Sequence, residues 1–266
     1  MRPIKQLQAS ALSRRLTSGR TRPAILLCED ANGEPAGEFV IKFRGGIETV
    51  VTGSACELLA SALAEELGLF TPAPAVVEMD QNVAALIQKI EPQLATVVGN
   101  SVGSNFGSEV VQSGFGTWPV GKSIPFGLRQ AAFEVFAFDA LIQNPDRKYS
   151  NPNLLSNGKE LCVIDHELAF SFLYEIPGST HPWELSDRHF DFLQEHLFYR
   201  ELKGHKLKLD RFVGALNGLS DKTLIEMAEQ LPSEWKTSAV TRIQDHLITI
   251  RKHSKKFAEQ LKWRLS

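Results

Sequence analysis

The hydrophobic pattern of this 266-residue chain changes along its length from a strand period to a helix period. From Phe39 to Phe43 every second side chain is a large apolar one, which is typical of a half-buried strand. Beyond about residue 185, apolar residues recur at helical spacing instead. This order predicts an α+β fold in which a small sheet precedes a larger, mostly helical part.

The N-terminal part carries the signals of paired strands around one helix. Apolar runs at 23–28 and 37–43 flank a turn that contains Asn32 and Gly33, which predicts an antiparallel hairpin. Residues 54–68 then place leucines on one helical stripe, with Ser54 as the expected N-cap and Gly68 as the expected stop. Two further strands are predicted after this helix, at 71–80 and 84–90.

The second part of the chain begins with a segment of different composition. Residues 92–123 are rich in Gly and Ser and lack periodicity, which predicts a long and partly irregular connection. Residues 128–143 are apolar nearly all round, which indicates a buried helix, and a polar loop at 144–153 and a strand at 161–170 follow. We therefore expect two lobes, residues 1–91 and residues 92–266, with a ligand cleft between them.

Composition argues against several classes of protein. The 29 Lys and Arg residues are balanced by 31 Asp and Glu residues, so direct nucleic-acid binding is not expected. The three cysteines lie far apart and form no CxxC pair, which favours a reducing compartment. The polar N-terminus lacks the apolar core of a signal peptide, and no apolar run approaches the ~18 residues of a membrane-spanning helix. We expect a cytoplasmic protein without a membrane span.

Three polar residues around the predicted loop and strand suit phosphoryl transfer. Asp146 lies in the loop, Asn151 follows five positions later, and Asp165 follows an apolar run. Phosphoryl transfer needs one carboxylate to accept the proton of the attacking hydroxyl. It also needs a second carboxylate and an amide oxygen to hold Mg²⁺. The Asp-x4-Asn spacing is that of the protein-kinase catalytic loop, although a capped turn explains the spacing equally well when it stands alone.

Two residues of the N-terminal part complete this set. Lys42 is a basic residue on a predicted strand, and Glu57 lies in the first turn of the predicted helix. In kinases a strand lysine neutralises the nucleotide phosphates and a helix glutamate holds that lysine in place. A strand lysine by itself is usually a solvated residue, and a glutamate at this position can simply complement the helix dipole. The full set, in this order along the chain, favours a kinase.

Residues 144–170 resemble the catalytic and metal-binding segment of HipA-like kinases, which share a protein-kinase-like fold with phosphoinositide kinases. The Asp-x-His-x-x-Asn loop of that family corresponds to Asp146, Lys148 and Asn151, and its metal-binding aspartate corresponds to Asp165. The resemblance implies a bilobal protein-kinase-like fold, ATP and Mg²⁺ as cofactors, and Asp146 as the residue that deprotonates the acceptor. It implies Asn151 and Asp165 as the metal ligands.

The resemblance extends into the N-terminal part and fades after about residue 185. Residues 39–43 are similar to the strand that carries the nucleotide lysine in the family, which implies that Lys42 binds phosphates with Glu57 as its partner. Residues 17–30 are similar to the phosphate loop of the family, which implies that Ser18, Gly19 and Thr21 cover the phosphates. Adenine is expected against the linker at Ile90 and Glu91.

One departure from the family leaves alternatives open. Lys148 stands where the family usually has a histidine, so it either neutralises the transferring phosphate or indicates reduced activity or a different acceptor. By analogy with the family we expect a Ser or Thr acceptor in a protein and an antitoxin-type regulator as a partner. The alternatives are a lipid or small-molecule kinase on the same fold and a catalytically silent pseudokinase that serves as a binding module.

Overall fold

The computed structural model of the chain describes residues 2–17, 19, 21–111, 113–175, 181–185, 190–206 and 208–266. These residues form a mixed α/β fold, with a strand barrel in the N-terminal part and mainly helices in the C-terminal part. The barrel strands are β1 (Lys5–Arg15), β2 (Ala24–Glu29), β3 (Pro35–Lys42), β4 (Pro74–Met79) and β5 (Gly103–Glu109).

The five strands close into a barrel in the order β1, β2, β3, β5, β4. The predicted hairpin is confirmed, because β2 and β3 pair antiparallel with Leu26 opposite Phe39. The barrel closes where β1 runs parallel to β4. Its interior is filled by apolar side chains such as Leu7, Phe39 and Val77, all of them buried. Because its interior side chains are packed in this way, β3 holds its last residue, Lys42, in a fixed position.

Helix α1 (Val50–Glu66) confirms the helix predicted in the N-terminal part. It begins four residues before Ser54, so the expectation that Ser54 caps it is wrong. Gly68 follows the helix with a φ of 75°, a left-handed conformation that glycine adopts without steric cost and that ends the helix as predicted. The helix packs between the barrel and the C-terminal helices, and it is buried along nearly its whole length.

The strand predicted at 84–90 is wrong, since these residues belong to helix α2 (Gln81–Ile90). The side chain of Asp80 accepts a hydrogen bond from Val83 N at 2.8 Å and so caps the helix. Ala84 and Ile87, three positions apart, then bury one face of α2. The apolar residues of this short run fit the period of a strand and that of a helix, and the Asp80 cap before the run favours the helix.

The fifth barrel strand instead comes from the segment predicted to be irregular. Strand β5 hydrogen-bonds to β3 on one side and to β4 on the other. Its composition suits this crowded position, because a Cβ at Gly107 would lie 2.7 Å from Val77 Cγ2. The buried Asn105 amide donates to Ser101 O and Gly103 O, both at 2.8 Å. The barrel therefore continues past residue 91, and the division into lobes at 91/92 stays a prediction.

The C-terminal part surrounds the predicted buried helix, which is confirmed as α4 (Arg129–Leu141) and is buried on all sides from Ala132 to Leu141. A small antiparallel sheet lies beside it, in the order β6 (Gly116–Thr117), β7 (Leu154–Ser156), β8 (Leu161–Val163). Among the described residues, none of the helices is both long and apolar enough to cross a membrane. The remaining elements are α3 (Ala95–Gly99), α5 (Tyr199–Leu202), α6 (Asp210–Gly218), α7 (Asp221–Glu229), α8 (Ser238–Lys252) and α9 (Ser254–Leu265).

The strand predicted at 161–170 is shorter than expected. It ends at Val163, and two residues later Asp165 has a φ of 62°. A left-handed backbone at a residue other than glycine cannot continue a strand and is often found at functional sites. Asp165 therefore lies where the chain changes direction after β8, just before the turn that the hydrogen bond from Ala169 N to His166 O closes.

Candidate active site

The amine of Lys42 lies between two carboxylates that come from distant parts of the chain. Lys42 ends β3, Glu57 lies in the buried middle of α1, and Asp165 follows β8. Lys42 Nζ contacts Glu57 Oε1 and lies 2.7 Å from Asp165 Oδ1. The side chain of Glu57 is buried, whereas that of Asp165 is 38% exposed. The structure thus brings together three of the residues that the sequence predicted.

These contacts decide the charges of the site. Burial alone would lower the pKa of Lys42, but the carboxylates of Glu57 and Asp165 outweigh it and raise that pKa. Burial would raise the pKa of Asp165, yet the nearby Lys42 amine lowers it overall. Burial raises the pKa of Glu57, which has no solvent contact. At neutral pH the site therefore presents an ammonium group beside an ionised, partly exposed carboxylate.

Asp146 lies in the loop after α4 and is held by two amides. Asn151 Nδ2 donates to Asp146 Oδ2 at 3.0 Å, and Asn153 Nδ2 donates to the same oxygen at 2.9 Å. An ionised carboxylate only accepts hydrogen bonds, so the NH₂ group of each amide must face it and each amide oxygen is turned away. The sequence predicted Asn151 but missed Asn153, although the Asn-Pro-Asn spacing places both around one proline.

Arg147 ties this loop to the segment that carries Asp165. Its guanidinium group is buried, and Nη1 donates to Asn153 O and, at 3.2 Å, to Ile164 O. Asn153 follows Asn151 in the loop, and Ile164 directly precedes Asp165. The two segments that bear the predicted catalytic and metal-binding residues are therefore joined by one fully buried side chain.

Arg147 is in turn anchored by Asp139 of α4. Arg147 Nε lies 2.5 Å from Asp139 Oδ2, and both side chains are buried. His196 Nε2 and Asn144 Nδ2 also bond to Asp139, at 3.0 and 2.9 Å. Burial would raise the pKa of Asp139, but the Arg147 guanidinium outweighs it and lowers that pKa to about 2. No sequence signal pointed to Asp139, since a single acidic residue in an apolar helix has no visible partner.

Lys148 contributes to the loop mainly through its backbone. Its N–H donates to Asp146 O and to Asn151 O, both at 3.0 Å, and so closes the turn around the two predicted site residues. Its amine lies 3.0 Å from Glu195 Oε2, and this ion pair is partly exposed to solvent. The structure therefore pairs the Lys148 side chain with Glu195.

Only the first part of the predicted phosphate loop, before residue 24, belongs to the connection between β1 and β2, because residues 24–29 form strand β2 itself. Gly19 has a φ of 109°, and its carbonyl accepts a hydrogen bond from Arg22 N at 3.2 Å. The carbonyl of Thr21 lies so close to Gly46 that a Cβ there would be 2.7 Å from it. Because Gly46 follows Lys42 by four residues, this connection lies beside the end of β3. Ser18 lies outside the described residues.

Ile90 and Glu91 lie at the C-terminal end of α2. Ile90 is 56% exposed, and Glu91 Oε2 lies 3.9 Å from Arg15 Nε at the end of β1. The segment that leads to them is helix α2 and not the predicted strand. The connection out of the barrel begins after Glu109. The adenine contact at residues 90 and 91 stays a prediction.

The oxygen donors around Asp146 and Asp165 fit a magnesium ion. Carboxylate and amide oxygens are hard ligands, and Mg²⁺ commonly takes its other ligands from phosphates and water. Within the described ranges, no three His, Cys, Asp or Glu side chains are close enough to form a metal site by themselves. A cavity of about 440 Å³ lies elsewhere, on the barrel face near Gln8, Glu78 and Leu231, and none of the site residues lines it.

Comparisons with known proteins identify a matching family and a similar fold. A family model described as HipA-like kinase matches residues 10–265. No curated protein matches the chain. The crystal structure of a Helicobacter pylori proinflammatory kinase, CtkA, is similar in fold, with a TM-score of 0.54 and 12% sequence identity over 99% of this chain and 98% of that one.

Proposed function

Because the chain belongs to the HipA-like kinase family, we propose that it transfers the γ-phosphoryl group of ATP to a serine or threonine hydroxyl of a protein. The observation that carries this proposal is the position of Lys42 Nζ, in contact with Glu57 and 2.7 Å from Asp165. A buried glutamate that holds a lysine beside a partly exposed carboxylate is the arrangement that nucleotide phosphates require.

In this proposal the barrel with α1 is one lobe of a bilobal kinase and the helical part is the other. Lys42 binds the phosphates, and Glu57 keeps its amine from turning into solvent. Gly19 and Thr21, together with Ser18, cover the phosphates, which is supported by their connection lying beside the end of β3. Ile90 and Glu91 remain the proposed adenine contact.

Asn151 and Asp165 are the proposed ligands of Mg²⁺. When bound, the ion would neutralise charge on the phosphate oxygens and hold them in line with the acceptor. Asp165 supplies an ionised and partly exposed carboxylate, because Lys42 lowers its pKa. Asn151 supplies an amide oxygen, because its NH₂ group is directed to Asp146.

Asp146 is the proposed acceptor of the proton. Both amides bind its Oδ2, and among the described residues no hydrogen bond reaches Oδ1, which is left for the acceptor hydroxyl. As the hydroxyl oxygen bonds to the γ-phosphorus, the bond from that phosphorus to the β–γ bridging oxygen breaks. The hydroxyl proton passes to Asp146, and ADP leaves with the electron pair of the broken bond.

Lys148 keeps a catalytic role in the proposal, as a cation that neutralises the transferring phosphate. Its ion pair with Glu195 is partly exposed, at 39% and 65% for the two side chains. Exposed ion pairs contribute about 0–1 kcal/mol, so this contact does not prevent the amine from reaching a phosphate.

The family also suggests the setting of the reaction. We include in the proposal a cytoplasmic location, an antitoxin-type regulator and no direct contact with nucleic acid. All three cysteines are free and buried, which is typical of a reducing compartment.

The test is phosphate transfer from γ-labelled ATP to the chain itself, to proteins of a cell lysate and to phosphoinositide vesicles. With Mg²⁺ we expect labelled protein, and a loss of at least ~100-fold in Asp146→Asn and Asp165→Asn. Asp245→Asn, an exposed change on α8, is the matched control and should keep full activity. Equal labelling by wild type and Asp165→Asn would contradict the kinase proposal, and labelling confined to the vesicles would contradict the protein acceptor.

A further inference from the structure

Asn153 has no assigned role, yet it makes the shorter of the two amide contacts to Asp146. Its Nδ2 lies 2.9 Å from Asp146 Oδ2, against 3.0 Å for Asn151. Asn151 is exposed, whereas Asn153 is half-buried and follows a buried proline, Pro152. A half-buried amide on a constrained backbone holds a carboxylate more firmly than an exposed one, because its side chain has fewer alternative rotamers.

The backbone of Asn153 is itself held in an uncommon conformation. Its φ is 44°, in the left-handed region that asparagine tolerates better than most residues. Its carbonyl accepts hydrogen bonds from Arg147 Nη1 and from Ile164 N, the latter at 3.3 Å. The peptide after Asn153 is thus fixed from two sides.

Arg147 is itself held in place beside this carbonyl. Its guanidinium is buried and bonds to Asp139, and that carboxylate also bonds to His196. A continuous chain of hydrogen bonds therefore connects α4 to the carbonyl of Asn153. The amide of Asn153 extends this chain to Asp146.

We propose that Asn153 is a positioning residue for the reaction: its amide, aimed by the Arg147–Asp139 pair, fixes the Asp146 carboxylate so that Oδ1 faces the acceptor hydroxyl. This inference rests on the proposed function and adds to it a residue outside the kinase loop spacing. Losing the amide leaves Asp146 with one exposed amide partner and a free rotation about its side-chain bonds. The acceptor is then deprotonated less often, while the nucleotide, which Lys42 holds, binds as before.

Two substitutions separate the amide from the backbone. Asn153→Gly removes the amide but keeps a residue that adopts a positive φ without strain. Asn153→Asp keeps the size and the tolerance for this backbone but replaces the donor with a carboxylate, which repels Asp146. An aspartate at position 153 could still bind a metal ion. This variant therefore keeps full activity if Asn153 serves as a metal ligand and loses activity if its amide positions Asp146. Asn157→Asp is the matched control, because Asn157 also donates its amide to a carboxylate, that of Glu160, in an exposed turn.

The experiment measures kcat and the KM for ATP of each variant with the acceptor that wild type labels best, beside wild type and Asp146→Asn. We expect Asn153→Gly and Asn153→Asp to lower kcat by about 10- to 100-fold with the KM for ATP within about twofold of wild type. Asn157→Asp should match wild type in both.

Wild-type kcat in Asn153→Gly would overturn the inference, and so would full activity in Asn153→Asp, which would point to metal binding instead. A loss of kcat with an equal rise in KM would overturn it as well, since general distortion of the site produces that pattern. Transfer by wild type no faster than by Asp146→Asn would overturn the proposed function and this inference together. A wild type that is faster than Asp146→Asn, with unaffected Asn153 variants, would overturn the inference alone.

Discussion

Lys42 and Glu57 show how burial sets the chemistry of single residues in this site. Glu57 is buried, and its ionised form is stabilised by the Lys42 amine that contacts it and by His166 N, which donates to its Oε2 at 3.0 Å. Burial raises the pKa of the Glu57 carboxyl group, because the charged form loses its contact with water. If the amine is removed, the carboxyl group is expected to take up a proton and stay neutral.

This gives a pH-dependent stability for Lys42→Met. Burial raises the pKa of Glu57 above its ordinary 4.5, and the variant lacks the Lys42 amine that lowers it, so the contribution of Glu57 to stability is greatest at low pH. It falls as the pH rises, by up to about 1.4 kcal/mol per pH unit, because unfolding then releases a proton. Urea unfolding of wild type and variant at pH 5.5 and pH 8 should show a small difference at the lower pH and a larger one at the higher.

The double variant Lys42→Met, Glu57→Gln provides the control, since it has no buried carboxyl group to titrate. Its own free energy of unfolding should therefore change less between pH 5.5 and pH 8 than that of Lys42→Met. A Lys42→Met variant that is equally destabilised at pH 5.5 and pH 8 would contradict the burial argument.

Among single residues, those that match a known pattern for phosphoryl transfer could be predicted from the sequence. Their types, order and spacing indicated five candidates: Lys42, Glu57, Asp146, Asn151 and Asp165. Asn153 and Asp139 could not be named, because their roles come from contacts made only after folding. Neither the left-handed backbone of Asn153 nor the buried ion pair of Asp139 produces a periodic pattern in the sequence.

The elements of the site are joined by the buried pair between Asp139 and Arg147. The pair connects helix α4 to the loop that follows it and, through Ile164, to the end of β8. Breaking one side of a buried ion pair leaves a charge without a partner, which costs about 3–5 kcal/mol. We therefore expect Arg147→Met to be strongly destabilised.

The double variant Arg147→Met, Asp139→Asn should recover part of that loss, because the neutral amide no longer needs a cation. Urea unfolding of the two single variants and the double variant gives the coupling energy. Lys222→Met, which breaks the exposed pair with Glu226 on α7, should change stability by no more than about 1 kcal/mol. Additive losses in the Arg147 and Asp139 variants would mean that the pair does not couple α4 to the loop.

The elements also show where periodicity fails as a guide. Helix α1 and the β2–β3 hairpin could be predicted because their apolar residues repeat at the expected spacing. Helix α4 could be predicted because its sequence is apolar nearly all round. Strand β5 could not, because barrel packing selects glycine at position 107 and a hydrogen-bonded asparagine at position 105 in place of apolar residues. The strand prediction failed at helix α2 because its apolar run is too short to show a clear period, whereas the Asp80 cap favours a helix.

For the whole molecule, the position of α1 links the barrel to the helical part. The helix contacts β4 and β5 on one side and α7 and α8 on the other. Glu57 therefore lies where both parts of the chain meet, and Asp165 reaches the same point from the segment after β8. The α+β composition and the order of the two parts could be predicted, but the closure of the sheet into a barrel could not, because it depends on the polar strand β1 pairing with β4.

The central claim is that side chains from both parts of the chain bind one triphosphate, and a crystal structure with Mg²⁺ and a non-hydrolysable ATP analogue tests it most directly. We expect phosphate oxygens within about 3.2 Å of Lys42 Nζ and the metal ion bound by Asp165. A nucleotide bound in the cavity near Leu231, or one whose phosphates contact neither Lys42 nor the metal ligands, would contradict the account.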